Sequence, residues 1–305
     1  VSDAGASLNF GDCIGCGLCV LGCPAYEETG FDVMTARGRN KALQSGLAAA
    51  DMRESIWACT LCGYCDAICP THVHNVEIVL HLRRELESRV PSPEPPTTSP
   101  ESRAPSPELV LGCTIRELAP HLIPSIHEFL RRINRRFEES PDPAHGETCC
   151  GSLDVEAGRA VRSRSKAGVV ADPMCLEQYD ADFLGILAMR HLDLFELRPP
   201  FYYFAPHRLV NRDHAGVYPI YDALRRRYDC DMNVDLNRLA RSTSAGSVQG
   251  LSGLWGKDAR DIPAAVARLL ADSRAERIIT CSPADYLAFK AHSGRETLFI
   301  TECLR

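Results

Sequence analysis

The chain has 305 residues, 45% of them hydrophobic and 24% charged, with a formal net charge of −6. That length and apolar content suit a small folded domain joined to one of ordinary size, and the acidic balance lacks the basic footprint of a nucleic-acid binder. No apolar run reaches the length of a membrane span, and fifteen cysteines without a secretory n-region or h-region in Val1–Phe10 imply a reducing compartment, hence a cytoplasmic location.

Cys13, Cys16, Cys19 and Cys23 precede Pro24, and Cys59, Cys62, Cys65 and Cys69 precede Pro70. Both runs read C-x2-C-x2-C-x3-C-P, the bacterial ferredoxin spacing. In that pattern three close thiolates hold three irons of a [4Fe-4S] cube and the fourth cysteine ligates the other cluster. The spacing therefore assigns Cys13, Cys16, Cys19 and Cys69 to one cluster, and Cys59, Cys62, Cys65 and Cys23 to a second. Disulfide frameworks belong to small secreted domains and zinc takes its four ligands in separated pairs, so both alternatives match the duplicated run poorly.

Between the runs, Met34–Glu54 has few breakers and reads helical. Val76–Arg89 follows, with Val76, Val79, Leu80, Leu82 and Leu86 forming an apolar helical stripe. Residues 1–90 are thus expected to form a helical two-cluster domain. The Pro/Ser-rich stretch Pro91–Pro107 reads as an extended linker. In residues 108–305 short apolar runs at Leu109–Gly112, Gly168–Ala171, Phe201–Phe204, Ile278–Thr280 and Leu298–Thr301 read as strands. They alternate with helical patterns at Leu122–Phe137, Leu176–His191, Ile220–Tyr228 and Ile262–Leu270, which predicts an α/β domain with parallel strands. Chemistry in such sheets collects at the carboxyl ends of strands, where Cys113, Asp172 with Cys175, His207 and Cys281 fall. The basic runs Arg131, Arg132, Arg135, Arg136 and Arg225–Arg227 read as solvated helix faces.

A second cysteine group comprises Cys113, the Cys149-Cys150-Gly151 turn and the Asp172-Pro173-Met174-Cys175 turn. Adjacent cysteines make a strained disulfide, so two thiolates aimed at one metal centre explain the pair better. Buried free thiols remain the ordinary alternative.

The tandem runs, the Ala36-Arg37-Gly38-Arg39 segment between them, and the later Gly-Cys-Thr, Cys-Cys-Gly and Pro-Met-Cys elements resemble the glycolate oxidase iron-sulfur subunits. Similar subunits occur in anaerobic glycerol-3-phosphate dehydrogenase, lactate-utilisation proteins and the fused C and B subunits of heterodisulfide reductase. The resemblance implies a helical bis-[4Fe-4S] domain followed by a "CCG" domain of two related α/β lobes (about 108–200 and 201–305), each able to hold a cluster through the pattern C, CCG, CxxC. On that pattern Cys113, Cys149, Cys150 and Cys175 hold a third [4Fe-4S] cluster. Asp172 stands where the first cysteine of CxxC would be, as an oxygen ligand or hydrogen-bond partner. In the second lobe the matching elements are Phe204-Ala205-Pro206-His207, Ser244-Ala245-Gly246 and Cys281-Ser282-Pro283-Ala284, which retain one cysteine and imply a lost cluster. His207, His72 and His74 read as ordinary hydrogen-bonded or surface histidines rather than ligands.

The function implied is electron transfer: a non-catalytic subunit relaying electrons through two ferredoxin-type clusters and one CCG-type cluster. The donor would be a flavoprotein dehydrogenase or hydrogenase, and the acceptor a quinone, a thiol or another redox protein, with peripheral attachment to the inner membrane face through a quinone-reactive partner. Two other readings stand beside it, a catalytic heterodisulfide-reductase-like disulfide reductase and an iron-sulfur sensor or scaffold. The paired five-cysteine sites of the former are absent here.

Overall fold

The computed structural model describes residues 8–87, 109–135, 150, 152–158, 165–228, 230–234 and 261–305. Pro91–Pro107, Cys149 and the Ser244-Ala245-Gly246 element lie outside the described residues. Contacts divide the chain into two units, Val1–Ser106 with Leu153–Ser163, and Pro107–Ser152 with Arg164–Arg305. The assignment of Leu153–Ser163 to the first unit has no counterpart in the sequence, where 108–305 reads as one stretch.

Proline and glycine punctuate the first unit into short helices: α1 (Pro24–Thr29), α2 (Ala36–Gln44), α3 (Arg53–Ala58), α4 (Tyr64–Ala67) and α5 (Asn75–Glu87). Pro24 starts α1 where its missing N–H costs nothing, and Gly30 in the left-handed region ends it. Thr35 caps α2 by accepting from Gly38 N–H at 3.2 Å. The Met34–Glu54 stretch is therefore not one helix: Gly46 at φ 86° breaks it, and a 3-10 turn at Ala49–Met52 leads into α3. Helix α5 buries Val76, Val79, Leu82 and Leu86, with Arg83 on the same side.

In the second unit β1 (Leu109–Val110), β2 (Ser165–Val170) and β3 (Tyr179–Phe183) form a parallel sheet in the order β1-β2-β3. A second parallel sheet has the order β5-β4-β6-β7, from β4 (Phe201–Phe204), β5 (Asp231–Met232), β6 (Arg277–Thr280) and β7 (Glu296–Phe299). Phe201–Phe204 is buried at every position, as a strand covered on both faces requires. Leu109 and Phe183 of one sheet and Phe201, Ile279 and Phe299 of the other belong to a single hydrophobic cluster. The sheets thus share one core.

The expected helix over Leu176–His191 is half strand. Tyr179–Phe183 alternates apolar and acidic residues and pairs with β2, and only Leu184–Arg190 is helical (α7). The helix expected over Leu122–Phe137 spans Ile123–Arg132 (α6), with Asn134 at φ 54° just beyond it. Its arginines are solvated: Arg131 and Arg132 both bond Glu128. The helix expected over Ile220–Tyr228 starts earlier, at His214, and runs through Pro219.

Candidate functional site

The two cysteine runs repeat in backbone geometry. Gly17 and Gly63 take φ/ψ of 84°/−2° and 80°/−3°, and each opens a helical turn, at Leu18–Val20 and Tyr64–Ala67. Two residues earlier, Gly15 lies at φ 75° and the matching Leu61 at φ 53°. A left-handed conformation costs an L residue roughly 1–2 kcal/mol. Leu61 tolerates it because its side chain is 2% exposed and packed.

These turns curl each run around a cavity. Cys13, Cys16, Cys19 and Cys69 line one open cavity of about 340 Å3, with Cys65 also on its wall. Cys23, Cys59, Cys62 and Cys65 line the other, of about 360 Å3, with Cys19 also on its wall. Each run's fourth cysteine therefore lies in the cavity of the other run, and Cys19 and Cys65 belong to both. Backbone at Gly22 presses against the Tyr64 ring, and a Cβ there would come within 2.7 Å of it, so the first run packs tightly on the second.

Backbone N–H groups converge on the sulfurs. Arg37 N–H bonds Cys19, Tyr26 and Ala25 N–H bond Cys23, Tyr64 N–H bonds Cys62, and Val73 N–H reaches Cys69 Sγ at 3.4 Å. Such bonds favour the thiolate. Desolvation opposes them and wins: burial pushes the Cys62 thiol up to about 12 and Cys19 up to about 11. These sulfurs can be thiolates at neutral pH only beside a compensating cation. Converging soft sulfur donors fit an iron-sulfur cluster, and the residues present supply four cysteines to each. Among the described residues, no three His, Cys, Asp or Glu side chains close on a single metal ion.

The walls are anchored differently. Around the first cavity, Lys41 Nζ donates to Cys13 O at 2.9 Å, and Gln44 Nε2 donates to Phe10 O, Gly11 O and Cys13 O at 2.9, 3.1 and 3.0 Å. Asn9 ties the same segment to the other run, donating to His72 O and accepting from His74 N–H, both at 3.0 Å. Around the second, Arg83 is wholly buried and donates to Ile56 O, Trp57 O and Cys59 O, while its other guanidinium nitrogen bonds Glu156 O at 2.7 Å. Its guanidinium also lies 4.9 Å from the Trp57 ring centroid. Asp66 caps α5 by accepting from Asn75 N–H at 2.7 Å and Val76 N–H at 3.3 Å.

In the second unit, Cys113, Cys150, Asp172 and Cys175 meet where β1 and β2 end. Val110, Val170, Cys150 and Cys175 form one buried cluster. Gly112, at φ 86°, approaches so closely that a Cβ would stand 2.7 Å from the Asp172 Cβ and 3.2 Å from the Cys175 Sγ. The Cys175 S–H donates to Cys150 and holds the Cys150 thiol down to about 7. Asp172 is buried, which raises its pKa. It accepts from Met174 N–H at 2.9 Å and from the Thr114 hydroxyl, with Arg208 and Asp285 also within its field. Cys281 lies elsewhere in the core, its Sγ 3.3 Å from the Tyr203 hydroxyl and against Gly185. His207 is buried at the start of a helix (His207–Arg212), and His72 and His74 are exposed.

Sequence reasoning gives Arg39 no role of its own and misses Arg83 and Asp66. Arg83 has a signal: it interrupts the apolar stripe of α5 between Val79 and Leu86. Asp66 sits within the second cysteine run, where the ligands take the eye.

Residues 9–73 match the 4Fe-4S dicluster domain. The chain is 32% identical over 74 residues to the fumarate reductase iron-sulfur subunit of Escherichia coli O6:H1, covering 21% of this chain and 30% of that protein. It is 36% identical over 87 residues to the probable glycolate oxidase iron-sulfur subunit of Bacillus subtilis, covering 27% and 19%. It is also 30% identical over 77 residues to the C-type subunit of a CoB-CoM heterodisulfide reductase from Methanosarcina acetivorans, covering 25% and 46%. The chain thus spans less than half the length of each of these relatives. No solved structure matches the chain. Residues 9–73 are a dicluster segment similar to those of glycolate oxidase iron-sulfur subunits and of the C-type subunits of heterodisulfide reductases.

Proposed function

We propose that the chain is an iron-sulfur electron-transfer subunit of an oxidoreductase complex. In the first unit Cys13, Cys16, Cys19 and Cys69 hold one [4Fe-4S] cluster, and Cys59, Cys62, Cys65 and Cys23 hold the other. The observation that carries this reading is the pair of adjoining cavities whose walls share Cys19 and Cys65. The clusters supply one-electron redox chemistry. The chain's own residues hold them and bond their sulfurs through backbone N–H groups.

In the second unit, which we read as a two-lobed CCG domain, Cys113, Cys149, Cys150 and Cys175 hold a third cluster. Asp172 is a hydrogen-bonded neighbour there: Met174 N–H and the Thr114 hydroxyl already engage it. The lobe around Cys281 is metal-free, its thiol taken up by core packing and Tyr203. Donor and acceptor are redox subunits, a flavoprotein dehydrogenase or hydrogenase on one side and a quinone-reactive subunit, thiol or second redox protein on the other. Among the described residues no helix is long and apolar enough to cross a membrane.

Iron and sulfide quantitation on the anaerobically reconstituted full chain tests the assignment, with about twelve irons expected from three four-iron clusters. About eight would leave the second unit without a cluster, and about sixteen would mean that the Cys281 region binds one.

A further inference from the structure

The Ala36-Arg37-Gly38-Arg39 segment holds a second function. Gly38 is where α2 lies on the preceding turn: a Cβ there would collide with Asp32 O and stand 2.6 Å from Val33 Cα. That close approach directs the flanking arginines to different cavities. Arg37 lines the first, half-exposed, with Nε 3.2 Å from Asp32 Oδ2. Arg39 lines the second and is 2% exposed.

The partners of Arg39 are neutral. Its Nη1 donates to Met34 O at 2.7 Å, Ser55 O at 2.9 Å and Ser55 Oγ at 3.3 Å. A buried cation bonded only to carbonyls and a hydroxyl bears the full cost of leaving water unless negative charge lies near it. Arg39 lines the same cavity as the Cys23, Cys59, Cys62 and Cys65 sulfurs, so an anionic cluster held by those four would supply the missing negative charge. The Asp66 carboxylate accepts from Cys65 Sγ at 3.7 Å and is tied to the α5 amides.

We propose that Arg39 is a positioning residue that raises the reduction potential of the cluster in the Cys23/Cys59/Cys62/Cys65 cavity, so that an electron settles there in preference to the outer cavity. The inference rests on the ligation proposed above. Net charge, sulfur hydrogen bonds and solvent exposure set iron-sulfur potentials, and a desolvated charge acts with little screening. Arg37 carries the same charge but is half-exposed and neutralised by Asp32, so its effect on the outer cavity is small.

The test is a redox titration of the reconstituted full chain followed by electron paramagnetic resonance, in the wild type and in Arg39→Gln, Arg39→Lys and Arg37→Gln, with iron content measured on each. In Arg39→Gln one of the two dicluster midpoints should fall by about 59 mV or more, a tenfold loss in the occupancy of its reduced form, while the other moves much less. Arg39→Lys should restore it and Arg37→Gln should move neither by that much. Midpoints unchanged in a fully loaded Arg39→Gln overturn the proposal. If Arg39→Gln does not load its clusters, Arg39→Lys decides: loading with wild-type midpoints supports the role of the charge, and anything else makes Arg39 a clamp on Met34 and Ser55 alone. Wild-type protein that binds no four-iron cluster would instead defeat the ligation itself.

Discussion

The two cysteine runs share a spacing and a backbone path and differ in almost everything around them. In the first, Ile14 and Leu21 are 66% and 76% exposed, Cys16 is exposed, and no charged side chain occurs from Cys13 to Tyr26. In the second, Thr60, Leu61 and Cys62 are buried. The outer cavity is anchored by the exposed side chains of Lys41 and Gln44, the inner one by the buried guanidinium of Arg83. Ligand spacing dictates what each run can bind, whereas the neighbours decide how much water and charge the bound group meets. With clusters held as proposed, the one beside the exposed Ile14, Cys16 and Leu21 is the one placed to exchange electrons with a partner.

The largest expected effect comes from breaking the crossed ligation. Cys23→Ser should damage the inner cluster, held by Cys59, Cys62 and Cys65, and spare the outer one. Cys69→Ser should do the reverse. Each variant should lose about four of the irons bound by the first unit, as one cube requires, and the spectra of the two residual clusters should differ. If Cys23→Ser removes the cluster of Cys13, Cys16 and Cys19, the crossed assignment fails.

The anchors come next. Arg83→Met removes the hydrogen bonds that a buried cation gives to four carbonyls, those of Ile56, Trp57, Cys59 and Glu156. Each hydrogen bond from a charged donor is worth about 1.5–3 kcal/mol, and an orphaned buried acceptor adds a further penalty, so roughly 3 kcal/mol or more of stability should be lost. Gln44→Ala cuts three bonds, to Phe10, Gly11 and Cys13, but water can replace them, and the loss should stay within about 1 kcal/mol. Anaerobic denaturation followed by visible absorbance of the clusters compares the two. Equal losses would erase the distinction between an outer, wet wall and an inner, dry one.

This contrast also marks how far the sequence can be read. The ligand runs, the helical stripe at Val76, Val79 and Leu86, and strands such as Phe201–Phe204 are legible because periodicity and spacing are local properties. Tyr179–Phe183 reads as helix in the sequence because its strand character depends on a parallel neighbour distant along the chain, β2. The environments of the two runs are hidden for the same reason: that Thr60 is buried and Ile14 exposed follows from which helices lie over them. In the second unit the meeting of Cys113, Cys150 and Cys175 follows from strand ends, whereas the Thr114 and Arg208 contacts of Asp172 depend on the fold.

The smallest effect is also the sharpest on the comparison. Gly15 and Leu61 occupy the same place in the two runs and both have positive φ, 75° and 53°. Leu61→Gly relieves a left-handed strain of roughly 1–2 kcal/mol and removes a buried side chain whose truncation costs about 2–5 kcal/mol. At mid-range values packing outweighs strain, so the variant should be less stable by about 2 kcal/mol. Ile14→Ala, its exposed neighbour in the first run, should change stability by less than about 0.5 kcal/mol. Because Leu61 lines the inner cavity, its loss also admits water, and the inner cluster should then be bleached by air at a rate approaching that of the outer one. A Leu61→Gly protein that is more stable than wild type, with its inner cluster as protected as before, would show that Leu61 is held there by strain alone and does not seal the cavity.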